Sequence, residues 1–282
     1  MNVLVTGATG FVGRHLIPQL LDRGHHVVAT ARNETTARSR DWFDHVEFRS
    51  FDLKDADADA GTTFGDVDAV AHLAWGNLNN FKSSEHFASE LPASFRFLRS
   101  IIASGCHNVL VAGTCLEYGL QCGELVESLP TNPTTPYGLA KDCLQRFLQQ
   151  LKQEIPFDLT WTRLFYMFGP GQNEKSLIPL LRSAVERGDD CFAMSGGEQI
   201  RDFLAIENVA EHLRALLTLA PGSGVLNVCS GEPTSVRRFV ESQLRSWGRD
   251  IRLNLGVYPY PDYEPLAFWG DTTKLHSVRA TA

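Results

Sequence analysis

A tyrosine and a lysine stand four positions apart in the segment Tyr137-Gly-Leu-Ala-Lys141. On a helix, this spacing places both side chains on one face, one turn apart. A phenol with a pKa of about 10 is a weak acid–base group at neutral pH, and a neighbouring cation lowers that pKa by favouring the phenolate. Thr114 ends an apolar run and is placed to hydrogen-bond the same substrate oxygen. These three residues predict proton transfer to or from an oxygen.

The N-terminal residues have the pattern of a turn that binds a dinucleotide. An apolar run from Val3 to Val5 ends at Gly7, and Gly10 and Gly13 follow at three-residue steps before a helical pattern begins. Glycines allow a tight turn and a close approach of the backbone to a pyrophosphate, which the helix N-terminus attracts. The alternative is an ordinary strand-to-helix turn. We expect this turn to bind a dinucleotide through Gly7, Thr9, Gly10, Phe11, Val12, Gly13 and Arg14.

The elements that position these residues follow from the apolar pattern. Short apolar runs alternate with helical periods in the first half of the chain, and they predict strands at residues 2–6, 26–31, 46–51, 69–73, 109–112 and 159–164. Helical patterns between them include residues 81–104 and 137–153. This order predicts an α/β fold with a Rossmann-type, doubly wound parallel sheet, in which ligands bind at the carboxyl ends of the strands.

The second half of the chain has a different character. Loops rich in Gly and Pro lie at residues 169–171, 195–197, 221–224 and 258–265, between helical patterns at 177–187, 207–219 and 235–247. We expect a dinucleotide-binding domain at residues 1–165, with a segment of about 198–220 returning to it. Residues 166–282 would mostly form a smaller C-terminal substrate-binding lobe.

Composition excludes several classes of protein. A formal net charge of -7 argues against a nucleic-acid-binding face. Apolar runs of about 18 residues, which a membrane span needs, are absent from the sequence. The six cysteines lack C-x-x-C spacing, which predicts reduced thiols and no metal site. The N-terminus has the pattern of a core strand rather than of a signal peptide, so we expect a cytoplasmic protein.

Residues at three strand ends bear on the cofactor. The second predicted strand ends at Thr30-Ala31-Arg32, without the carboxylate that grips an adenine ribose 2′-hydroxyl. Arg32, helped by Arg14, could instead bind a 2′-phosphate, so NADP is favoured over NAD, unless Arg32 is ordinary surface. Further cofactor contacts are expected after the third and fourth strands, from Asp52, Leu53, Leu73 and Ala74. The alternatives are a helix N-cap at Asp52 and a merely buried end of the fourth strand.

The Tyr–Lys pair alone often arises by chance, so it indicates a function only together with other motifs. Matching pieces run almost end to end, at residues 6–13, 52–53, 72–74, 113–119, Tyr137 with Lys141, 163–171, 197–203 and 227–231. In this combination the chain resembles the extended short-chain dehydrogenase/reductases, in the branch that acts on nucleotide sugars. The resemblance implies that Thr114, Tyr137 and Lys141 are catalytic, with the last two also touching the cofactor.

The resemblance also bears on the substrate. It implies that Arg201 contacts the diphosphate of a nucleotide-diphospho-sugar; the alternative is a salt bridge with Asp202 or Glu207. Two asparagines of the family are replaced here, by Glu90 and Tyr166. Because the sugar pocket comes from the loops, we expect substrate contacts from Trp75, Glu117, Tyr118, Tyr166, Arg201 and Tyr260. The segment 258–265 would line the nucleotide end of this pocket near Arg201, unless its tyrosines only seal the lobe.

The resemblance implies an NADPH-dependent reduction of a nucleotide-diphospho-4-keto-6-deoxy sugar at C4. A nucleotide-sugar 4-epimerase is the alternative, and a non-catalytic NADP-binding protein is a third hypothesis. Cys115 and Leu116 replace the Asp-Glu pair of the 4,6-dehydratases, which disfavours that reaction. Relatives form homodimers through a four-helix seam, which would here use the two helices predicted at 81–104 and 137–153. The alternative for the apolar positions Leu144, Phe147, Leu148 and Leu151 is packing onto the sheet.

Overall fold

The strands follow the apolar runs of the sequence. The structure is a computed structural model, and it describes residues 1–55 and 57–281. The strands of this part are β1 (Asn2–Thr6), β2 (His26–Ala31), β3 (Glu47–Ser50), β4 (Ala69–His72), β5 (Asn108–Thr114), β6 (Gly123–Leu125), β7 (Asp158–Leu164), β8 (Tyr166–Phe168), β9 (Cys191–Ala193), β10 (Ile200–Ala205), β11 (Gly224–Val228), β12 (Pro233–Ser235), β13 (Arg252–Asn254) and β14 (Phe268–Gly270).

Helices connect most of these strands. They are α1 (Gly13–Leu21), α2 (Glu34–Arg38), α3 (Ala60–Phe64), α4 (Leu91–Ala103), α5 (Pro136–Glu154), α6 (Leu177–Arg187), α7 (Ile206–Leu219), α8 (Val236–Ser246) and α9 (Thr273–Thr281). Short 3-10 helices lie at Phe43–His45 and Cys115–Tyr118, and a π-helix lies at His86–Glu90. None of the helices described is long and apolar enough to cross a membrane.

The main sheet is parallel, and its strand order is β3-β2-β1-β4-β5-β7-β11. Both of its faces are covered, α1 and α7 packing on one and α4 and α5 on the other. This double cover explains why its strands are continuous apolar runs rather than alternating ones. The predicted Rossmann-type α/β fold is confirmed. The strand order reverses between β1 and β4, which is where this fold binds its ligands.

The helix predicted at residues 81–104 is wrong in its first part. The α-helix begins at Leu91, directly before a proline in its first turn, and the preceding turn is the π-helix. Proline suits the start of a helix because it lacks the N–H that an interior position needs. Upstream, the side chains of Asn80 and Ser83 accept hydrogen bonds from backbone N–H groups two residues further on. Such local bonds compete with helix formation.

Three of the apolar positions considered for a dimer seam lie inside the protein. Leu144, Leu148 and Leu151 are buried against the sheet, so packing onto the sheet explains them. Phe147 is different, being 45% exposed with its ring against Phe95 of α4. A homodimer through α4 and α5 stays a prediction, in which Phe95 and Phe147 would supply the apolar contact between the subunits.

The C-terminal lobe has its own small core. The short sheet β13-β9 lies with α6 and α8 around buried residues that include Leu181, Met194 and Val240. The sheet β12-β10-β8 meets α8 through the stacked rings of Phe203 and Phe239. Not all of the later chain belongs to this lobe. Helix α7 packs on α1, and β11 pairs with β7 at the edge of the main sheet.

Candidate functional site

Thr114, Tyr137 and Lys141 meet where β5 ends and α5 begins. Thr135 caps α5, its side chain accepting a hydrogen bond from Gly138 N at 3.1 Å. One turn into the helix, Lys141 Nζ donates to the carbonyl oxygen of Ala112 at 2.7 Å, which ties α5 to β5. Thr114 ends β5, and its hydroxyl hydrogen-bonds the Tyr137 side chain. The sequence therefore placed these three residues together correctly.

The pKa of Tyr137 differs from the expectation. Burial raises this pKa above its ordinary value, and the charge of Glu117 raises it further, while the hydrogen bond with Thr114 acts in the opposite direction. The net shift of the Tyr137 pKa is therefore a rise, whereas a lowering was expected. A phenol that keeps its proton at neutral pH is suited to donate it to a carbonyl oxygen.

Lys141 is almost completely enclosed. It is 2% exposed, and its ammonium lies 4.0 Å from the centre of the Trp75 ring. Burial lowers the pKa of Lys141 to about 7, and the charges of Glu117 and Glu90 act against that shift. The residue is thus poised between its charged and neutral forms near neutral pH.

This pKa predicts how pH affects stability. The unfolded lysine, with a pKa of about 10.4, binds more protons than the folded one between about pH 7 and 10, so stability from this group rises with pH there. Below about pH 7, Lys141 is charged in both the folded and the unfolded state, so burial of its charge lowers the free energy of unfolding by a constant amount. We expect the free energy of unfolding of wild type, minus that of Lys141→Met, to rise across this range by at most about 1.4 kcal/mol per pH unit. Urea unfolding at several pH values measures it, and a flat difference contradicts the lowered pKa.

Trp75 is held in place by a histidine that the sequence analysis missed. His86 is completely buried in the π-helix, and its Nδ1 accepts from Trp75 Nε1 at 3.1 Å. Its Nε2 lies 3.0 Å from the carbonyl oxygen of Asn80, to which it donates because Nδ1 is the acceptor. The His86 ring centre is also 5.3 Å from that of Tyr137. Nothing in the local spacing singled out this histidine.

Two predicted substrate contacts are corrected by the structure. Glu117 and Tyr118 are both completely buried. Glu117 accepts hydrogen bonds from Thr114 N, Trp161 Nε1 and Arg163 Nε. The Tyr118 hydroxyl donates to Asn227 Oδ1 at 2.8 Å, and burial raises its pKa to about 12. Both residues face the protein interior because the 3-10 helix that follows β5 turns them back over the sheet.

The glycine turn forms one wall of a cleft of about 230 Å³ at the switch point of the main sheet. A Cβ added at Gly7 would lie 2.9 Å from Ala74 N, and one at Gly13 would lie 2.4 Å from the carbonyl oxygen of Gly7. Only glycine allows these approaches. This cleft brings together seven of the predicted cofactor contacts and one predicted substrate contact, Trp75. The seven are Gly7, Thr9, Gly10, Arg32, Asp52, Leu53 and Ala74.

The remaining predicted cofactor residues lie around this cleft. Leu73 N and Ala74 N both donate to Thr6 Oγ1 at 3.1 Å, which fixes the end of β4 beside the turn. Phe11 packs its ring edge on His15, and Val12 precedes α1. Arg14 lies against Gly171, and its Nε has no hydrogen-bond partner in the described residues. Leu73, Phe11, Val12 and Arg14 are thus close in sequence to residues of the cleft but are not among its described lining.

Glu90, which replaces a family asparagine, closes the other side of the cleft. It is 6% exposed and pairs with Lys54 at 2.6 Å. Its Oε2 also accepts from Gly76 N at 2.9 Å. An asparagine could not supply this charge. The ion pair with Lys54 ties the loop after β3 to the start of α4, and the hydrogen bond from Gly76 N ties the loop after β4 to the same place.

A second and larger cleft, of about 860 Å³, is lined mostly by residues of the C-terminal lobe, together with Phe81 from the loop after β4. Tyr166 and Arg201 line it, as expected, and Tyr258, Tyr263 and Glu264 represent the segment 258–265. Tyr260 is a correction: it is 41% exposed and lies near Gly196, outside the described lining. The described residues contain no group of three or more His, Cys, Asp or Glu that could hold a metal ion.

Comparison with known proteins adds to this geometry. Residues 3–229 match the NAD dependent epimerase/dehydratase family. The chain belongs to this family. The predicted resemblance to the extended short-chain dehydrogenase/reductases is thereby confirmed.

Relatives within this epimerase/dehydratase family are enzymes of nucleotide-sugar metabolism. The chain is 29% identical to a dTDP-6-deoxy-L-talose 4-dehydrogenase (NAD(+)) of Aggregatibacter actinomycetemcomitans, over 96% of this chain and 99% of that protein. It is 25% identical to a UDP-glucose 4-epimerase of Yersinia pestis, over 97% of this chain and 90% of that protein. The chain is therefore an enzyme of the nucleotide-sugar epimerase and dehydrogenase type, as predicted.

Solved structures agree on the fold. MoeE5, in complex with UDP-glucose and NAD, has a TM-score of 0.82 and 26% identity, covering 99% of this chain and 92% of that one. A UDP-glucuronic acid 4-epimerase of Bacillus cereus has a TM-score of 0.86 at 22% identity, which supports the fold alone. A nicotinamide dinucleotide and a nucleotide sugar thus occupy a closely similar architecture in MoeE5.

Proposed function

We propose that the protein reduces the C4 ketone of a nucleotide-diphospho-4-keto-6-deoxy sugar, or oxidises the matching alcohol, with a nicotinamide dinucleotide. The observation that carries this proposal is the meeting of Thr114, Tyr137 and Lys141 beside two clefts. The ring of Tyr137 contacts Trp75, which lines the cleft at the glycine turn, and Phe81, which lines the cleft that contains Arg201. The 4-dehydrogenase relative, which aligns over almost its whole length, supports chemistry at C4 of a 6-deoxy sugar.

The residues of the chain divide the reaction between them. The dinucleotide supplies the hydride. Tyr137, which keeps its proton because burial raises its pKa, donates that proton to the ketone oxygen, and the Thr114 hydroxyl holds the same oxygen. Lys141, held by Ala112 and Trp75, stabilises the phenolate left on Tyr137. In the oxidative direction, Tyr137 would act as the phenolate and take the proton of the C4 hydroxyl, and the oxidised dinucleotide would accept the hydride from C4.

The dehydratase reaction finds no support in these residues. Cys115 is 7% exposed, and burial raises the pKa of its thiol. Leu116 beside it has no acid–base group. Neither side chain can abstract a sugar proton and release a water at neutral pH.

The experiment that tests the proposal follows the cofactor spectroscopically. Incubation with a dTDP-4-keto-6-deoxy sugar and NADH or NADPH is expected to consume one reduced cofactor for each sugar reduced. The second candidate function is a nucleotide-sugar 4-epimerase, which the similarity to a UDP-glucose 4-epimerase supports. Interconversion of 4-epimers without net loss of reduced cofactor would establish that candidate and contradict the reductase.

The choice between NAD and NADP is a separate proposal. Arg32 lines the cofactor cleft where a 2′-phosphate would lie, which favours NADP. The relatives, however, carry NAD in their names and complexes. Because one exposed arginine is weaker support than these relatives, we propose NAD as the main cofactor, with Arg32 giving a weaker affinity for NADP.

Arg32→Ala tests this assignment. Loss of a charge-assisted phosphate contact costs about 1.5–3 kcal/mol, so the Kd of NADPH is expected to rise by about 10- to 150-fold. The Kd of NADH should stay near that of wild type, because NADH has no 2′-phosphate. Fluorescence titration of both proteins with both cofactors measures the four constants. Equal changes for NADH and NADPH would show that Arg32 does not read the 2′-phosphate.

A further inference from the structure

The guanidinium of Arg201 is already occupied by groups of the protein. Arg201 is 2% exposed, and its Nη1 donates to the carbonyl oxygens of Ile200 at 2.8 Å and Leu266 at 3.1 Å. Its Nη2 donates to Glu264 Oε2 at 2.9 Å. The guanidinium carbon also lies 4.6 Å from the centre of the Phe268 ring. The side of Arg201 that faces the cleft is thus covered by a carboxylate.

Glu264 stands at the place where an anionic substrate group would bind. Its side chain is 9% exposed and, like Arg201, it lines the larger cleft. A carboxylate and a phosphate both accept hydrogen bonds from a guanidinium in the same forked geometry. The other described cations of this cleft, Lys175 and Arg187, are both exposed, and Arg187 already pairs with Asp189 at 2.6 Å. Arg201 is therefore the buried cation for which an incoming diphosphate competes.

The segment that carries Glu264 is otherwise held by weak contacts. Asp262 pairs with Lys82 at 2.8 Å, but these side chains are 78% and 59% exposed. Thr134 Oγ1 donates to the carbonyl oxygen of Tyr263 at 3.4 Å. Exposed ion pairs and long hydrogen bonds contribute little stability, so the buried pair with Arg201 is the strongest polar anchor of this segment that we identify.

We propose that Glu264 is a placeholder anion, which keeps the buried Arg201 paired in the free enzyme and yields it to the diphosphate of the nucleotide sugar. This inference rests on the proposed nucleotide-sugar substrate. A buried arginine without a partner is unfavourable, which explains why the chain supplies an internal carboxylate. The exchange lowers the apparent affinity for the substrate, because part of the binding free energy is used to break the internal pair.

Glu264→Gln separates this role from a structural one. The glutamine keeps a hydrogen-bond acceptor for Arg201 and removes the competing charge. We expect the variant to bind dTDP and UDP about tenfold more tightly than wild type, measured by titration calorimetry, with a lower KM for the nucleotide sugar. A purely structural carboxylate predicts the opposite, weaker binding, and that result overturns the inference.

Two further variants complete the test. Glu241→Gln removes the same charge from an exposed pair with Arg237 in the same lobe, and it should bind dTDP as wild type does. Glu264→Asp shortens the side chain and loosens the pair while keeping its charge, so its affinity should lie between those of wild type and Glu264→Gln. Equal affinity in wild type and both Glu264 variants overturns this inference alone. Failure of wild type and all variants to bind dTDP or UDP overturns the proposed nucleotide-sugar substrate as well.

Discussion

Tyr137→Phe is expected to lower kcat by about 10²- to 10⁴-fold, because general acid catalysis typically contributes this much. Phenylalanine keeps the ring, which stacks on Phe81 with centres 5.2 Å apart and meets Trp75 edge-on at 6.2 Å. Only the proton donor and its hydrogen bond with Thr114 are lost. The Kd of the dinucleotide should therefore change little, and steady-state kinetics with a binding titration measure both quantities.

A matched control removes a hydroxyl that takes no part in the reaction. Tyr260 is 41% exposed and lies outside the described lining of the larger cleft, so Tyr260→Phe should keep kcat within a fewfold of wild type. If Tyr137→Phe retained comparable turnover, Tyr137 would not be the proton donor, and the acid–base role would have to pass to another group. Loss of dinucleotide binding in Tyr137→Phe would instead show that the substitution damages the cleft.

Glu117→Gln is expected to lower the free energy of unfolding by about 3–5 kcal/mol, as the breaking of a buried ion pair typically does. Glu117 Oε2 lies 2.8 Å from Arg163 Nε, with side-chain exposures of 0% and 5%. The substitution leaves the arginine charge buried without its counter-charge. Burial raises the pKa of Glu117, and the charge of Arg163 opposes that shift. Urea unfolding at neutral pH measures the loss.

An exposed pair provides the control for this stability effect. Glu34 and Arg38 are 2.6 Å apart on α2, with side-chain exposures of 48% and 64%. Exposed pairs at this helical spacing contribute about 0.3–0.5 kcal/mol, so Glu34→Gln should be close to neutral. A loss of less than about 1 kcal/mol in Glu117→Gln would mean that the interior around Arg163 rearranges to solvate its charge.

The fold and the cleft at the glycine turn could be predicted from the sequence because both depend on local patterns. The bounds of β1 and β2 were predicted to the residue, since each is a continuous apolar run ended by turn residues. The cleft at the glycine turn is formed by strand ends, which parallel pairing brings to one edge of the sheet. Thr114, Tyr137 and Lys141 followed in the same way, from one strand end and one helical turn.

Long-range pairings could not be predicted in this way. Glu117 is 46 positions from Arg163, and Glu264 is 63 positions from Arg201. The periodicity of a sequence does not indicate which distant charges will be buried together. Glu117 was therefore predicted to contact the substrate, and the pairing of Arg201 with Glu264 was missed. The expected pKa of Tyr137 was wrong for a related reason, because burial and the charge of Glu117, which lies in another element, raise it.

The late position of β11 and α7 in the chain bears on how the protein folds during synthesis. Leu16 and Leu20 of α1 share one core with Leu213 of α7 and with Leu226 and Val228 of β11. The glycine turn leaves the ribosome early, but the apolar face behind it stays uncovered until residue 228 has emerged. A nascent chain that ends with β7 exposes that face to water, where it can aggregate or bind a chaperone.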